Sequence, residues 1–329
     1  ADGPWESSAQ VIQTMGQRFK SREFNNGRWS SVLYWAETTL KETRDQQENM
    51  ATAWRWEQVL GEDHPYLSPW APALETGSSV QYKDLKKIHG KATGKVSNAT
   101  LISVGKLNCQ EAEAALKGTF GRFGEHKKRF GFIRGNKDLK GIKGKVIHAP
   151  EKGDVTLVLT FVPQEIKKPN VSLGSTVFLL KEALTQNLRS RLREKEGLTY
   201  STYCKASAVG NVIICEVKVT CQPGQAPRVL AILKNELALC IQNGFTEDEW
   251  ALARLKFLGK YIAGFSDAWA GRNLLLNLAS FGEIPADPMA TIFSIEREQV
   301  NTMARLFLDA ENFVFTATGP MFEEDIDQF

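Results

Sequence analysis

At 329 residues, with 42% hydrophobic and 24% charged side chains, the chain has the composition of a globular protein long enough for more than one core, and two domains is the expectation. Its 41 basic and 38 acidic residues leave a net charge of +3, too small over this length to argue by itself for a nucleic-acid or membrane partner. No run approaches the roughly eighteen apolar residues of a membrane-spanning helix, and the opening Ala-Asp-Gly-Pro-Trp lacks a basic-then-apolar leader pattern.

In chain order, Thr39 to Val59 reads as a long helical run, followed by a turn at Gly61-Glu62-Asp63-His64-Pro65-Tyr66. Tyr82 to His89 is expected as a short helix, Asn98 to Gly105 as an apolar strand and Ala112 to Phe120 as a helix. Residues 124–150 are rich in Gly, Lys and Arg and read as a linker. A β-rich run follows at Val155 to Val162. Val177, Leu180, Leu184, Leu188 and Leu192 then recur at spacings of three and four, predicting a helix to Arg193 behind Ser175 or Thr176 as N-cap, with Gly197 as its stop. Strands are expected around Tyr200 to Lys205 and Val212 to Cys221, with a turn at Pro223-Gly224. Two helices come next, Pro227 to Asn243 stopped by Gly244 and one opened by a capping box of Thr246 and Glu249, before a closing strand from Phe313. Strands interleaved with helix pairs on one sheet face predict an α+β layer.

Two segments share an outline, Asn98-Ala-Thr-Leu-Ile-Ser-Val-Gly105 and Asn312-Phe-Val-Phe-Thr-Ala-Thr-Gly319, 214 residues apart. Ala53-Trp54 and Ala268-Trp269 are 215 apart, each followed by a Gly-Glu pair, at Gly61-Glu62 and Gly282-Glu283. The agreement predicts a duplicated domain. Residues 1–123 are then an incomplete first copy, 124–150 the linker and 151–329 a complete second copy.

The nine residues Leu192 to Tyr200, Leu-Arg-Glu-Lys-Glu-Gly-Leu-Thr-Tyr, place an arginine and a tyrosine seven positions apart across a helix end. The segment resembles the Arg-Glu-x-x-Gly-Leu-x-Tyr signature in the second domain of the pitrilysin and insulinase family of zinc peptidases, family M16. Arg193, Glu194, Gly197, Leu198 and Tyr200 fill its defined positions. The turn at His64-Pro65-Tyr66 is similar to one common in that family, and the resemblance covers nearly the whole chain. It implies duplicated α+β domains, each a mixed or antiparallel sheet with helices on one face. It also implies that Tyr200 donates to the oxyanion of a peptide being cleaved and that Arg193 holds a substrate carbonyl.

In that family the metal motif is His-x-x-Glu-His, which this chain does not contain. His64, His89, His126 and His148 stand too far apart for two rings to share one helical face. The repeat places the matching helix of the first copy ahead of Ala1. The expectation is therefore a C-terminal part of a longer enzyme or a non-zinc subunit, inactive alone, with zinc carried by another M16 domain or subunit in a heterodimer-like pairing. If a zinc helix precedes the chain, the family's third ligand falls near Glu42 or Glu48, on a charged helix face where glutamates are more often solvated. The substrate would be an extended peptide held by strand addition at a sheet edge.

Two rivals stand beside this reading. One is a catalytically inactive M16-like structural or assembly subunit, against which the intact Arg193 and Tyr200 argue. The other is RNA binding, because Lys128-Arg-Phe-Gly-Phe-Ile-Arg134 imitates the aromatic strand of an RNA-recognition sheet. It lacks the glycine and aromatic expected at Arg129 and Gly135, so no nucleic-acid partner is expected. No phosphate loop, dinucleotide fingerprint or nucleophile elbow occurs, which implies no nucleotide cofactor. The five cysteines form no Cys-x-x-Cys pair and read as buried free thiols, Cys215 and Cys221 on the inner face of a strand. Asn98 and Asn170 head glycosylation triplets that matter only in a secreted eukaryotic protein, and a bacterial periplasm or cytoplasm is the favoured setting.

Overall fold

The computed structural model describes residues 8–21, 24–62, 64, 67, 81–93, 102–104, 108–120, 139–162, 171–209, 212–264, 271–273, 275–276 and 287–326. The chain divides into two compact units, one of residues 1–41, 72–131 and 264–276, the other of residues 42–71, 132–263 and 277–329. The Asn98 position and the Ala268-Trp269 and Gly282-Glu283 matches of the repeat lie outside the described residues, as do His126, Asn170 and the Lys128 to Arg134 stretch.

In the first unit, α1 (Ser8–Lys20) packs on α5 (Cys109–Phe120). Ile12 meets Ala112 and Ala115 there, and the rings of Phe19 and Phe120 cross edge to face at 5.9 Å. The small alanines let the two helices approach closely, which is why an Ala-rich run can serve as core. Asn108 opens α5, its side-chain oxygen accepting from the N–H groups of Gln110 and Glu111 at 3.1 and 3.3 Å. In α4 (Tyr82–Thr93) the Tyr82 hydroxyl donates to the Phe24 carbonyl, while His89 lies edge-on against Phe24.

Between them in sequence come α2 (Trp29–Asp45) and α3 (Gln47–Leu60), which resolve the predicted Thr39 to Val59 run into two helices broken at Gln46. The helix α3 belongs to the second unit, whose strands are β1 (Ile142–His148), β2 (Val155–Phe161), β3 (Thr199–Val209), β4 (Val212–Cys221) and β5 (Phe313–Gly319). They form one mixed sheet in the order β1-β5-β2-β4-β3, with β1 and β5 parallel and the other pairs antiparallel. The central strand β2 is buried along nearly its whole length because both of its faces are covered. On one face Leu157, Leu159, Val217, Val219 and Phe315 are buried on the side covered by α6 (Val171–Arg189) and α7 (Ala226–Asn243), with α10 (Arg297–Phe307) packed on those two helices.

The other face carries α3, which modifies the one-faced arrangement expected from the sequence. Val59 and Leu60 pack on Ile214 and Val314. Arg55, only 4% exposed, donates to Thr160 at 3.0 Å, to Thr316 at 2.5 Å and to Glu216 at 3.3 Å, so one guanidinium joins β2, β5 and β4. Burial pulls the Arg55 pKa below its ordinary value while the Glu216 carboxylate pulls it back up.

The linker expectation changes at its C-terminal end, because residues 142–148 are the edge strand β1. Its glycine is a packing device: a Cβ on Gly144 would stand 2.4 Å from the Phe315 ring. Its lysines suit an edge strand, where charge deters further pairing. Lys145 lies over the Trp54 ring and Lys143 reaches Gln58 at 3.1 Å. Composition that resembles a linker is here a strand with one exposed edge.

Helix α8 (Glu247–Gly264) opens with the predicted capping box: the Thr246 N–H donates to Glu249 at 2.8 Å and the Glu249 N–H to the Thr246 hydroxyl at 3.3 Å. Asp287 caps the short α9 (Pro288–Phe293) by accepting from the Ala290 N–H at 2.9 Å. No helix of the described residues is long and apolar enough to cross a membrane.

Candidate functional site

The apolar ladder of α6 is buried throughout, from Val177 through Leu180, Leu184 and Leu188 to Leu192. The helix starts a turn earlier than expected, so Ser175 and Thr176 are buried in its interior and neither is the N-cap. At its C-terminal end the helix widens into one π-helical turn, Ser190–Lys195. Such turns insert a residue into a helix and recur at functional sites. The Glu196 N–H then donates to the Arg191 carbonyl at 3.2 Å and the Leu198 N–H to the Leu192 carbonyl at 2.9 Å, closing the helix end with Gly197 at φ +63°. The wide turn keeps Leu192 in the core while Arg193, Glu194 and Lys195 emerge into solvent.

The charges around this turn are mostly consumed. Glu196 accepts from Arg191 at 3.2 Å and from Arg228 at 2.7 Å, Arg191 also meets Glu236 at 3.2 Å, and Glu194 pairs with Arg189 at 3.5 Å. Arg193 is exposed and makes no ion pair among the described residues. Glu194 and Glu196 therefore brace the helix end, and Arg193 is left over.

Tyr200 is the extra residue of a β-bulge. Thr199 is paired with Cys221 and Ser201 with Thr220, so no β4 residue stands opposite Tyr200. A bulge bends the strand and re-aims the side chain it carries. Thr199 stays buried, whereas Tyr200 is 56% exposed. The Tyr200 hydroxyl accepts from Gln222 Nε2 at 3.2 Å, which leaves its own proton available for donation. Arg193 and Tyr200 are thus both exposed in this chain.

No group of three or more His, Cys, Asp and Glu among the described residues is arranged to hold a metal ion. His148 bonds to the Met321 carbonyl at 2.9 Å and stacks on Phe322, His89 lies against Phe24, and His64 is buried. Glu42 is exposed on α2, and Glu48 of α3 accepts from Lys152 at 3.1 Å, which lowers its pKa. Among the described residues these side chains do not form a zinc site by themselves. Cys204, Cys215, Cys221 and Cys240 are buried free thiols, as the strand alternation predicted for Cys215 and Cys221, and Cys109 is an exposed one.

Sequence reasoning missed the π turn, the bulge and the partner Gln222. It also missed Tyr203 and Lys218, which stand opposite each other on the same open stretch of sheet. The alternation of Lys218 with Val217 and Val219 was the available signal.

Comparison with known proteins gives a consistent picture. The family model for the peptidase M16 inactive domain matches residues 79–257. The uncharacterized zinc protease SCO5738 of Streptomyces coelicolor is 32% identical over 134 residues, which cover 39% of this chain and 29% of that protein. The uncharacterized zinc protease ML0855 of Mycobacterium leprae is 24% identical over 270 residues, 75% of this chain and 56% of that protein. The chain thus spans about half or less of the length of these relatives. Among solved structures, a peptidase M16 inactive domain from Pseudomonas fluorescens superposes with a TM-score of 0.76 at 18% identity, over 95% of this chain and 74% of that one. That likeness establishes the α+β fold.

Proposed function

This chain belongs to the peptidase M16 inactive-domain family, and on that premise we propose that it supplies the substrate clamp and the oxyanion donor to a zinc peptidase whose metal is held by another domain or subunit. Both relatives are named zinc proteases, which makes zinc the metal implied for the complete enzyme. The observation that carries the reading is the bulge: it lifts Tyr200 out of the sheet with a free proton on its hydroxyl, just past a helix end that leaves Arg193 without an ion-pair partner among the described residues.

In this reading an extended peptide lies between the two parts. As its scissile carbonyl becomes tetrahedral, negative charge develops on the carbonyl oxygen, and a preorganised donor lowers the barrier by bonding to that oxygen more strongly than to the ground-state carbonyl. Tyr200 is that donor, oriented by Gln222, which donates to the phenol oxygen and so leaves the O–H directed outward. Arg193 bonds a neighbouring substrate carbonyl with a charged fork and sets the register. The two-copy organisation, with residues 1–123 as the incomplete copy, belongs to the same proposal.

The test is turnover in the enzyme assembled with its zinc-bearing part. Tyr200→Phe removes only the hydroxyl and is expected to lower kcat by about 10²-fold or more, with folding intact. Unchanged turnover would assign the chain to the structural-subunit class instead.

A further inference from the structure

The sheet face beside Tyr200 carries a set of side chains that the clamp does not use. By register Ser201 stands opposite Thr220, Tyr203 opposite Lys218 and Lys205 opposite Glu216, so all of them share the face that α3 covers over β5 and β1. Over β3 and the Lys218 to Thr220 end of β4 that face is open: Tyr203 is 46% exposed, Ser201 and Lys205 are exposed, and Lys218 and Thr220 are half-buried. Tyr200 joins the same stretch through its bond to Gln222, the residue that follows β4.

The charge on this face is unbalanced. Two carboxylates border it and both are paired, Glu216 with Arg55 at 3.3 Å and Glu48 with Lys152 at 3.1 Å, the Lys218 charge also acting on Glu48 from a greater distance. Among the described residues Lys205 and Lys218 make no ion pair. They are diagonal neighbours across β3 and β4, a relation that sets Cα atoms about 7–8 Å apart, within reach of one carboxylate between two long side chains. Strand addition along this edge is restricted, because the Cys204 N–H is already donated to the Thr185 hydroxyl at 3.0 Å. What this surface offers a peptide is therefore two ammonium groups and two phenol rings more than a row of backbone donors.

We infer that the open face of β3 and β4 selects peptides with acidic side chains, an Asp or Glu seating between Lys205 and Lys218 with its neighbours against Tyr203. The inference rests on the reading of Arg193 and Tyr200 as the clamp and adds the substrate class to it. Ser201 to Lys205 spans about 13 Å of strand, which places the acidic residue roughly three to five positions from the bond held at Tyr200. The attraction is between solvent-accessible charges, so its contribution is modest and salt-sensitive.

The experiment is fluorescence anisotropy of the 329-residue chain with two labelled peptides of equal length, one carrying Asp and Glu among alanines, the other Asn and Gln at the same positions. At low ionic strength the acidic peptide is expected to bind about tenfold more tightly, with the gap narrowing near physiological salt. Lys205→Gln with Lys218→Gln should abolish the preference, while Lys143→Gln, on the far edge strand, should leave it intact. Circular dichroism confirms folding of each variant. Equal binding of the two peptides, binding of neither, or a preference that survives the double substitution would overturn the inference. The clamp is judged separately by the turnover of Tyr200→Phe. An acid preference lost with both lysines, together with unchanged Tyr200→Phe turnover, would retain this surface and remove the clamp.

Discussion

Removing the Arg55 guanidinium would leave Glu216 as a buried carboxylate without its ion-pair partner, and the hydroxyls of Thr160 and Thr316 would each lose a donor. Breaking a buried ion pair from one side typically costs about 3–5 kcal/mol, whereas replacing both partners by apolar groups is often nearly neutral. Arg55→Met is therefore expected to lower unfolding stability by about that amount in urea titration, and Arg55→Met with Glu216→Leu to recover most of it. Equal losses in the single and double variants would mean that the threonine bonds, not the charge pair, hold α3 to the sheet. Arg193 is exposed and makes no ion pair among the described residues, so it should behave in the opposite way. Arg193→Ala should leave the urea midpoint within error and, in the assembled enzyme, raise KM for peptide through the loss of a charged donor. A midpoint shift without a KM change would make it a structural residue of the helix end.

Two glycines separate backbone strain from packing at the level of elements. A Cβ on Gly197 meets nothing within 4 Å, but the residue sits at φ +63°, so Gly197→Ala should cost about 1 kcal/mol from left-handed backbone strain alone. Because that turn joins the π-helical end to the bulge, relaxation there would also re-aim Tyr200, and turnover should fall by more than the stability change explains. Gly144→Ala places a methyl group in the Phe315 ring and should cost about 1–3 kcal/mol through overpacking of β1 against β5. Thermal unfolding of the two variants distinguishes the mechanisms: pairing Gly144→Ala with Phe315→Leu should rescue stability, and no second substitution in side-chain space should rescue Gly197→Ala.

At the scale of the whole molecule, the buried thiols report the integrity of the second unit. Burial pushes Cys215, Cys221 and Cys240 up to about 12 from an ordinary 9.0, and raises Cys204 well above it, whereas Cys109 is exposed on α5 of the first unit. Titration of the native chain with a thiol reagent near pH 8 should label one cysteine rapidly, at Cys109, and the other four only on unfolding. Below about pH 9 these thiols are protonated in both folded and unfolded states and contribute no pH dependence. Between about 9 and about 12 the unfolded chain sheds protons that the folded chain retains, so stability should fall as pH rises through that window. Rapid labelling of Cys215 at pH 8 would show that the sheet opens in the native state. A stability that rises from pH 9 to 10 would contradict the burial of the whole set.

Much of this was legible in the sequence because it depends on short-range periodicity. The spacing from Val177 to Leu192, the alternation from Cys215 to Cys221 and the Thr246 and Glu249 box are each satisfied within one element, so one element's residues predict them. The Arg193 and Tyr200 positions were legible as a pattern spanning a helix stop. Tertiary structure alone decided the rest, since it depends on residues remote in the chain. Whether Gly144 is a hinge or a packing surface is decided by Phe315, and whether α3 faces solvent or sheet by Thr160, Glu216 and Thr316. The bulge at Tyr200 exists only relative to the register of β4. Local sequence specifies which way a helix or strand turns its apolar side; the partner that meets that side is chosen by the packing of the whole sheet.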